Sequence, residues 1–495
     1  MPQPCQHKTL QLEPSAYARE VGFEWASPAQ RLAAATRSGR VPVLPDASGS
    51  STGGGRRRAD VRADKVARDL LASFPGPLVL PTDDLAWDPE YERQSFQSWC
   101  DDETRNRPTR ARKTLYVAAV PEITDEVGFM REWLRAKPKA GASSSSSSSS
   151  FPELKTPDLD DYVAYLSAFY HGFVVKPFPQ KLRFVAWEQK NRSKKYQYIG
   201  LANEAGTCTR IRARVSPDGV FSKQLNLEDV LDAEISLLPH DAYAMALLVD
   251  HDLYEDEEDD FCCGRAYGLN RVCVVSTARY HPILDEGAGQ ENTPLDLDCE
   301  HQCQQAQEQQ HWWPASHCRA FVESQVAAAD VHRGTRIINS STVSVSRAPM
   351  RAAIQAARRV EPDDTSPQPS SNSAEPLRTL WLARLVRTVS HELGHNLFLD
   401  HCVYYACMMQ STTGMAEDLR QPPYLCPVCL AKLSHKVAVE LQGGSDAARA
   451  AWVLDRYEAL AQVCDRWKEV GLFAGFQAWL RARIEVIRDE QKHVD

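Results

Sequence analysis

No run in this sequence approaches the roughly 20 apolar residues that a membrane-spanning helix requires. The first residues, MPQPCQHKTLQLEPSAYARE, lack a basic start and an apolar stretch behind it, so no secretory signal is expected. Basic charge is not in excess: 57 Lys and Arg stand against 66 Asp and Glu, a net charge of −9. Bulk nucleic-acid binding needs a positive footprint and is therefore not expected. Nor is cysteine organised as a disulfide framework. Of the 14 cysteines, four crowd into one short window and the others are scattered. Thiols in that arrangement point to a reducing compartment, the cytosol first and the nucleus second. Apolar residues at 43% and charged residues at 25% are the composition of a soluble globular chain, long enough for one large domain or two to three smaller ones.

What the sequence does have is concentrated between His391 and Cys429: HELGHNLFLDHCVYYACMMQSTTGMAEDLRQPPYLCPVC. Residues four apart on a helix share a face, so His391 and His395 can reach one metal ion. Glu392 is one step round, close enough to take a proton from a water on that metal. His401 follows six residues after His395. Three protein ligands with a fourth position open is the arrangement of a catalytic zinc. An HExxH string alone also occurs on ordinary surface helices; the third histidine and the cysteines that follow set this one apart. Cys402, Cys407, Cys426 and Cys429 fit a second, closed tetrahedral zinc site.

The combined string resembles the archaemetzincins, metzincin-type zinc peptidases with the pattern HExxHxxGxxH, then C-x4-C-x-M, then C-x-x-C. The matching residues are His391, Glu392, His395, His401, Cys402, Cys407, Met409, Cys426 and Cys429. The resemblance places Met409 in the Met-turn beneath the catalytic zinc. One position departs: the glycine between the second and third histidines is Phe398 here. A turn that needs positive φ is free for glycine and strained for phenylalanine. Either Phe398 takes that strain, or another residue such as Asn396 takes the left-handed conformation, or His401 misses the metal.

The resemblance is close over 376–460 and loose over 110–280. It implies an α+β, zincin-like (metzincin) catalytic domain: a mixed β-sheet, an active-site helix and a C-terminal subdomain stabilised by the four-cysteine zinc site. Along the chain, 1–58 reads as an N-terminal extension ending in the linker DASGSSTGGGRRR, with Arg56–Arg58 a basic patch. The part 59–282 reads as helices and strands of the catalytic domain. Thr156 and Pro157 look like a helix start, and Thr114–Val120, Ala244–Leu253 and Val272–Thr277 like buried strands. The segments at Asp252–Tyr254 and Ala278–Tyr280 resemble the family's strands ahead of the active-site helix. A polyserine run fills Gly141–Ser150. The part 283–375 reads as a low-complexity insertion in which Cys299, His301, Cys303, His311, His317 and Cys318 have no zinc spacing. In 376–495, Pro376 is expected to open the active-site helix at its first position. The segment Ser411–Leu425 carries few large apolar residues, so its order is expected to depend on the thiolate zinc.

The function this implies is a zinc metallopeptidase with two Zn²⁺ per chain, one catalytic and one structural. Glu392 is the expected general base, and a peptide or protein the substrate, with no nucleic-acid or membrane partner. The rival is a non-catalytic zinc-binding protein whose four-cysteine site is structural and whose histidine site is degenerate, a reading favoured by Phe398.

Overall fold

The structure, a computed structural model, describes residues 15–41, 72–137, 154–187, 197–285, 312–319, 321–323, 325–326, 348–360 and 374–492. Eleven strands occur in the described chain: β1 (Thr114–Ala118), β2 (Glu122–Ile123), β3 (Val174–Pro177), β4 (Arg183–Ala186), β5 (Gln197–Ala202), β6 (Cys208–Val215), β7 (Lys223–Asn226), β8 (Ala242–Val249), β9 (Leu253–Tyr254), β10 (Gly264–Tyr267) and β11 (Val272–Ser276). The longer helices are α1 (Leu159–Phe169), α2 (Leu227–Leu237), α3 (Pro349–Val360), α4 (Ala374–Asn396), α5 (Pro427–Ser434), α6 (Asp446–Cys464) and α7 (Gly471–Lys492).

The first sheet has the order β10-β11-β8-β1-β3. Its inner pairs are parallel, and β10 closes one edge antiparallel to β11. All eight residues of β8 are buried, as a strand covered on both faces requires. Alternate residues divide between two cores. Cys273, Val275, Ala246 and Leu248 face the core that holds α4, whereas Val272, Val274, Met245 and Leu247 face the core that holds α2. The second sheet, β2-β4-β5-β6-β7-β9, closes that second core. The expected α+β architecture with a mixed sheet and a helix behind it is what this chain forms.

The site helix α4 is buried nearly all round, from Thr379 to Gly394. Sequence reading expects only an apolar stripe. The structure also buries Arg384 and Arg387, which is tolerated because both are paired. Arg384 forms a bidentate pair with Asp285 (3.0 and 2.7 Å) and Arg387 pairs with Asp418. Trp381 Nε1 donates to Thr277 O (2.9 Å), and Tyr170 Oη donates to Ser390 O (2.6 Å) one residue before the first histidine. These bonds fix the helix against the sheet.

Several local readings change. The site helix is already helical at Ala374, so Pro376 is its third residue and not its first. It is still in the first turn, where the missing N–H has no intrahelical partner to lose. α1 starts at Leu159 with Asp158 at the N-cap, while Thr156 Oγ1 donates to Asp250 Oδ2 (3.2 Å). Ala278–Tyr280 is a 3₁₀ turn, and Leu253–Tyr254 belongs to the second sheet. Inside the segment read as a low-complexity insertion, α3 buries Met350, Ala353, Ile354 and Ala357 against α7. That i, i+3, i+4, i+7 spacing is a helical face legible in the sequence. The readings at Arg56–Arg58, Gly141–Ser150, Cys299, His301, Cys303 and His311 lie outside the described residues.

One buried group gives a pH expectation. His251 is 1% exposed, between Trp133 and Phe184, and burial pushes it down to about 4. A histidine held neutral in the folded chain contributes stability above its ordinary pKa, near 6.5. That contribution is lost as pH falls toward 4, because the unfolded chain takes the proton first. The loss amounts to at most about 3 kcal/mol from this residue. His251→Phe is expected to flatten the fall of Tm between pH 6.5 and 4. An unchanged slope would mean that His251 is not held neutral.

Candidate metal centres

His391 and His395 lie one turn apart on α4, and their Nε2 atoms are 3.0 Å from each other. Each Nδ1 faces a backbone carbonyl: Met408 O at 2.7 Å from His391, and Leu399 O at 2.8 Å from His395. A carbonyl only accepts, so Nδ1 carries the proton and Nε2 presents its lone pair. This is how metal-ligating histidines are oriented. Zinc–nitrogen bonds of about 2.0–2.1 Å in a tetrahedron place two nitrogens roughly 3.3 Å apart, close to the distance here. Burial holds His391 down to about 4 and His395 well below its ordinary value, so both are neutral at pH 7.

His401 completes the group. One ligand nitrogen from each of the three histidines lies within 4.8 Å of the others. The chain turns back to bring it there through Phe398, whose φ is 65°. Of the alternatives open in the sequence, the strained phenylalanine is the one adopted, at roughly 1–2 kcal/mol. The Phe398 ring packs against the main core, which offsets part of that cost. The donor set of three neutral imidazoles suits a zinc ion with one open position.

Glu392 is 8% exposed and faces the edge strand β10. A Cβ at Gly264 would stand 3.2 Å from Glu392 Cγ, 3.3 Å from Oε1 and 3.0 Å from Val274 O. Glycine at 264 is therefore what lets the edge strand lie against the carboxyl group. Burial pushes Glu392 up to about 8, only partly opposed by the Arg265 guanidinium. A dication at the histidines would draw it back down. β10 is the strand that borders the site. Sequence reading missed it because four residues, GRAY, show no alternating pattern.

Met409 is fully buried, and its main chain meets Cys402 through the Cys402 N–H to Met409 O bond (2.7 Å). A Cβ at Gly394 would be 2.5 Å from Met409 Sδ, so glycine on the helix makes room for the methionine below it.

Cys402, Cys407, Cys426 and Cys429 form the second group, all buried, with sulfurs within 4.8 Å of one another. Cys402 and Cys426 Sγ atoms are 3.5 Å apart, and Cys407 Sγ accepts the Cys426 N–H (3.3 Å). Cys426 stands at the N-cap position of α5 and Cys429 lies in its first turn. Hydrogen bonds from the other three thiols pull Cys402 well below its ordinary value. Burial pushes Cys407 and Cys426 well above theirs. A dry cluster of four sulfurs at this spacing fits a closed zinc site and gives no open position. His317 and Cys318 are buried, but they belong to neither group.

The segment Ser411–Leu425 is held by more than the cysteines. Asp418 pairs with Arg387 and accepts from Tyr280 Oη (3.2 Å), and Arg420 pairs with Asp83. Tyr424 stacks on Trp479 at 4.5 Å. Gln421 Nε2 donates to Gln410 O (2.6 Å) and lies 3.4 Å from His391 Nδ1. Buried ion pairs and an aromatic stack thus hold this loop in addition to the cysteines on which its order is expected to depend. Sequence reading missed Asp418, Gln421, Tyr91 and Gln94 at the site. The signal for the last two was absent, since no spacing connects them to the motif.

Residues 372–435 match the model of Peptidase family M54. Archaemetzincin-2 of Rattus norvegicus is 33% identical over 89 residues, 18% of this chain and 21% of that protein. Archaemetzincin-1 of Homo sapiens is 39% identical over 62 residues, 12% of each chain. The chain thus spans about a fifth or less of the length of the curated relatives it matches. Among solved structures, the archaemetzincin from Methanopyrus kandleri aligns with a TM-score of 0.29 and 14% identity, over 66% of this chain and 97% of that one.

Proposed function

We propose, from the match of residues 372–435 to Peptidase family M54, that the chain is a zinc metallopeptidase acting on a peptide or protein substrate. The observation that carries the reading is the three-histidine group with Glu392 buried beside it. His391, His395 and His401 would hold the zinc, which when bound supplies an activated water and polarises the scissile carbonyl. Glu392 takes the proton of the attacking water and passes it to the leaving amine. The low-dielectric setting around Glu392 favours the first of these transfers, because a poorly solvated carboxylate takes up a proton readily. Among the described residues β10 is an edge strand, and beside Glu392 it suits an extended peptide, which would pair with it through main-chain hydrogen bonds. Cys402, Cys407, Cys426 and Cys429 would hold a second zinc with no chemical role. Phe398, the feature behind the non-catalytic alternative, does not keep His401 from the other two histidines.

The test is cleavage of an unbiased peptide library by purified protein, with metal counted in the same sample. Cleavage is expected, with two zinc ions per chain. Mild chelation is expected to remove one ion early, that of the open histidine site, and to stop cleavage while the thiolate zinc stays. A single zinc in wild-type protein would contradict the reading, as would cleavage that survives loss of the labile ion.

A further inference from the structure

A segment far upstream, outside residues 372–435, runs alongside the histidine turn. Trp99 Nε1 donates to Leu397 O (3.2 Å), and Gln94 Nε2 donates to Phe398 O (3.1 Å). Gln94 Oε1 accepts the Asp400 N–H (3.1 Å). Tyr91 Oη donates to Asp400 Oδ1 (2.8 Å), the same oxygen that accepts the His401 N–H (2.8 Å). The Tyr91 ring lies 5.7 Å from the His401 ring. Gln94 is itself fixed: Lys432 Nζ, on a residue 1% exposed, donates to Gln94 O (2.7 Å) and Oε1 (2.6 Å). Lys432 lies on α5, the helix that carries Cys429.

These bonds fall where the chain departs from the family's glycine. Glycine holds a left-handed turn without strain; phenylalanine at φ 65° relaxes unless neighbours oppose it. Rotation at Phe398 would turn its carbonyl away from Gln94 and carry Asp400 and His401 with it. We propose that Tyr91–Trp99 is the clamp that lets a phenylalanine stand at 398, with Gln94 as a positioning residue for His401. The inference rests on His401 being a zinc ligand.

The test uses full-length, zinc-loaded protein and chelator competition at the histidine site, with the thiolate zinc as internal reference. Gln94→Met keeps length and bulk and removes the side-chain bonds to Phe398 and Asp400, together with the one from Lys432 Nζ, which keeps its bond to Gln94 O. It is expected to weaken zinc retention at the histidine site by roughly tenfold, the scale of one or two lost hydrogen bonds. The thiolate zinc is expected to stay. In a Phe398→Gly background the same substitution is expected to cost threefold or less, because the turn no longer needs holding. A general packing defect would cost the same in both backgrounds, and that result would overturn the clamp. If Gln94→Met does not fold, Tyr91→Phe, which removes one hydroxyl, replaces it with a smaller shift in the same direction. His401→Ala separates the two levels. If it loses the zinc while Gln94→Met and Tyr91→Phe retain it like wild type, the clamp is wrong and the ligand stands. If His401→Ala retains the zinc, ligand and clamp both fall.

Discussion

Glu392→Gln is expected to keep both zinc ions and to lose peptide turnover by roughly 10²- to 10⁴-fold, the range removed with a general base. The substitution is nearly isosteric, so it fits the slot under Gly264, where an added methyl would already meet the side chain at 3.2 Å. Glu392 is not among the grouped metal-ligand residues, so removing its charge leaves the three imidazoles in place. Three nearby carboxylates among the described residues are already engaged. Asp418 is engaged by Arg387 and Tyr280, Asp400 by Tyr91 and the His401 N–H, and Glu255 by Arg265. The measurement is turnover of any peptide that wild type cleaves, beside zinc content and Tm. Turnover within threefold of wild type would sink the assignment of Glu392 as base. Loss of zinc together with turnover would show instead that Glu392 helps hold the metal.

The part of the site legible in the sequence is the part built from local geometry. His391, Glu392 and His395 follow from helical spacing alone, and Cys426 and Cys429 from their C-x-x-C spacing. The strain at Phe398 was legible as a choice among outcomes, because a missing glycine announces a conformational cost without saying who carries it. What carries it was not legible. Tyr91, Gln94 and Trp99 meet 397–401 across about 300 residues of chain, through side-chain bonds to backbone groups and to the Asp400 carboxylate that leave no pattern. The buried arginines of α4 were hidden for a related reason. Arg384 and Arg387 read as solvent positions until Asp285 and Asp418 are placed beside them. α3 was the avoidable miss, since its apolar spacing is regular and only the polar sequence around it argued for a loop.

Cys429→Ser is expected to lose the thiolate zinc, lower Tm by roughly 10 °C, and then shed the histidine-site zinc under mild chelation, with turnover lost. A structural zinc contributes on the order of 10 kcal/mol in small zinc modules, comparable with the whole stability of many domains, so a loss of several kcal/mol is the least to expect. The coupling to the other metal follows from position. Cys402 directly follows His401, and Cys407 directly precedes Met408, whose carbonyl orients His391 through a 2.7 Å bond. Two of the four cysteines are thus one residue from a group that sets a histidine. Freeing their sulfurs loosens both histidines, while His395, oriented by Leu399 O, keeps its place on the helix. The same geometry says where the chain opens. Asp418 and Arg420 remain in ion pairs and Tyr424 remains stacked on Trp479, so 415–425 keeps anchors that owe nothing to the zinc. Limited proteolysis of Cys429→Ser should therefore cut first between 400 and 410, ahead of 415–425. Cleavage starting within 415–425 would show that the ion pairs do not hold without the metal. Retention of the histidine-site zinc at wild-type affinity would show that the two centres are independent.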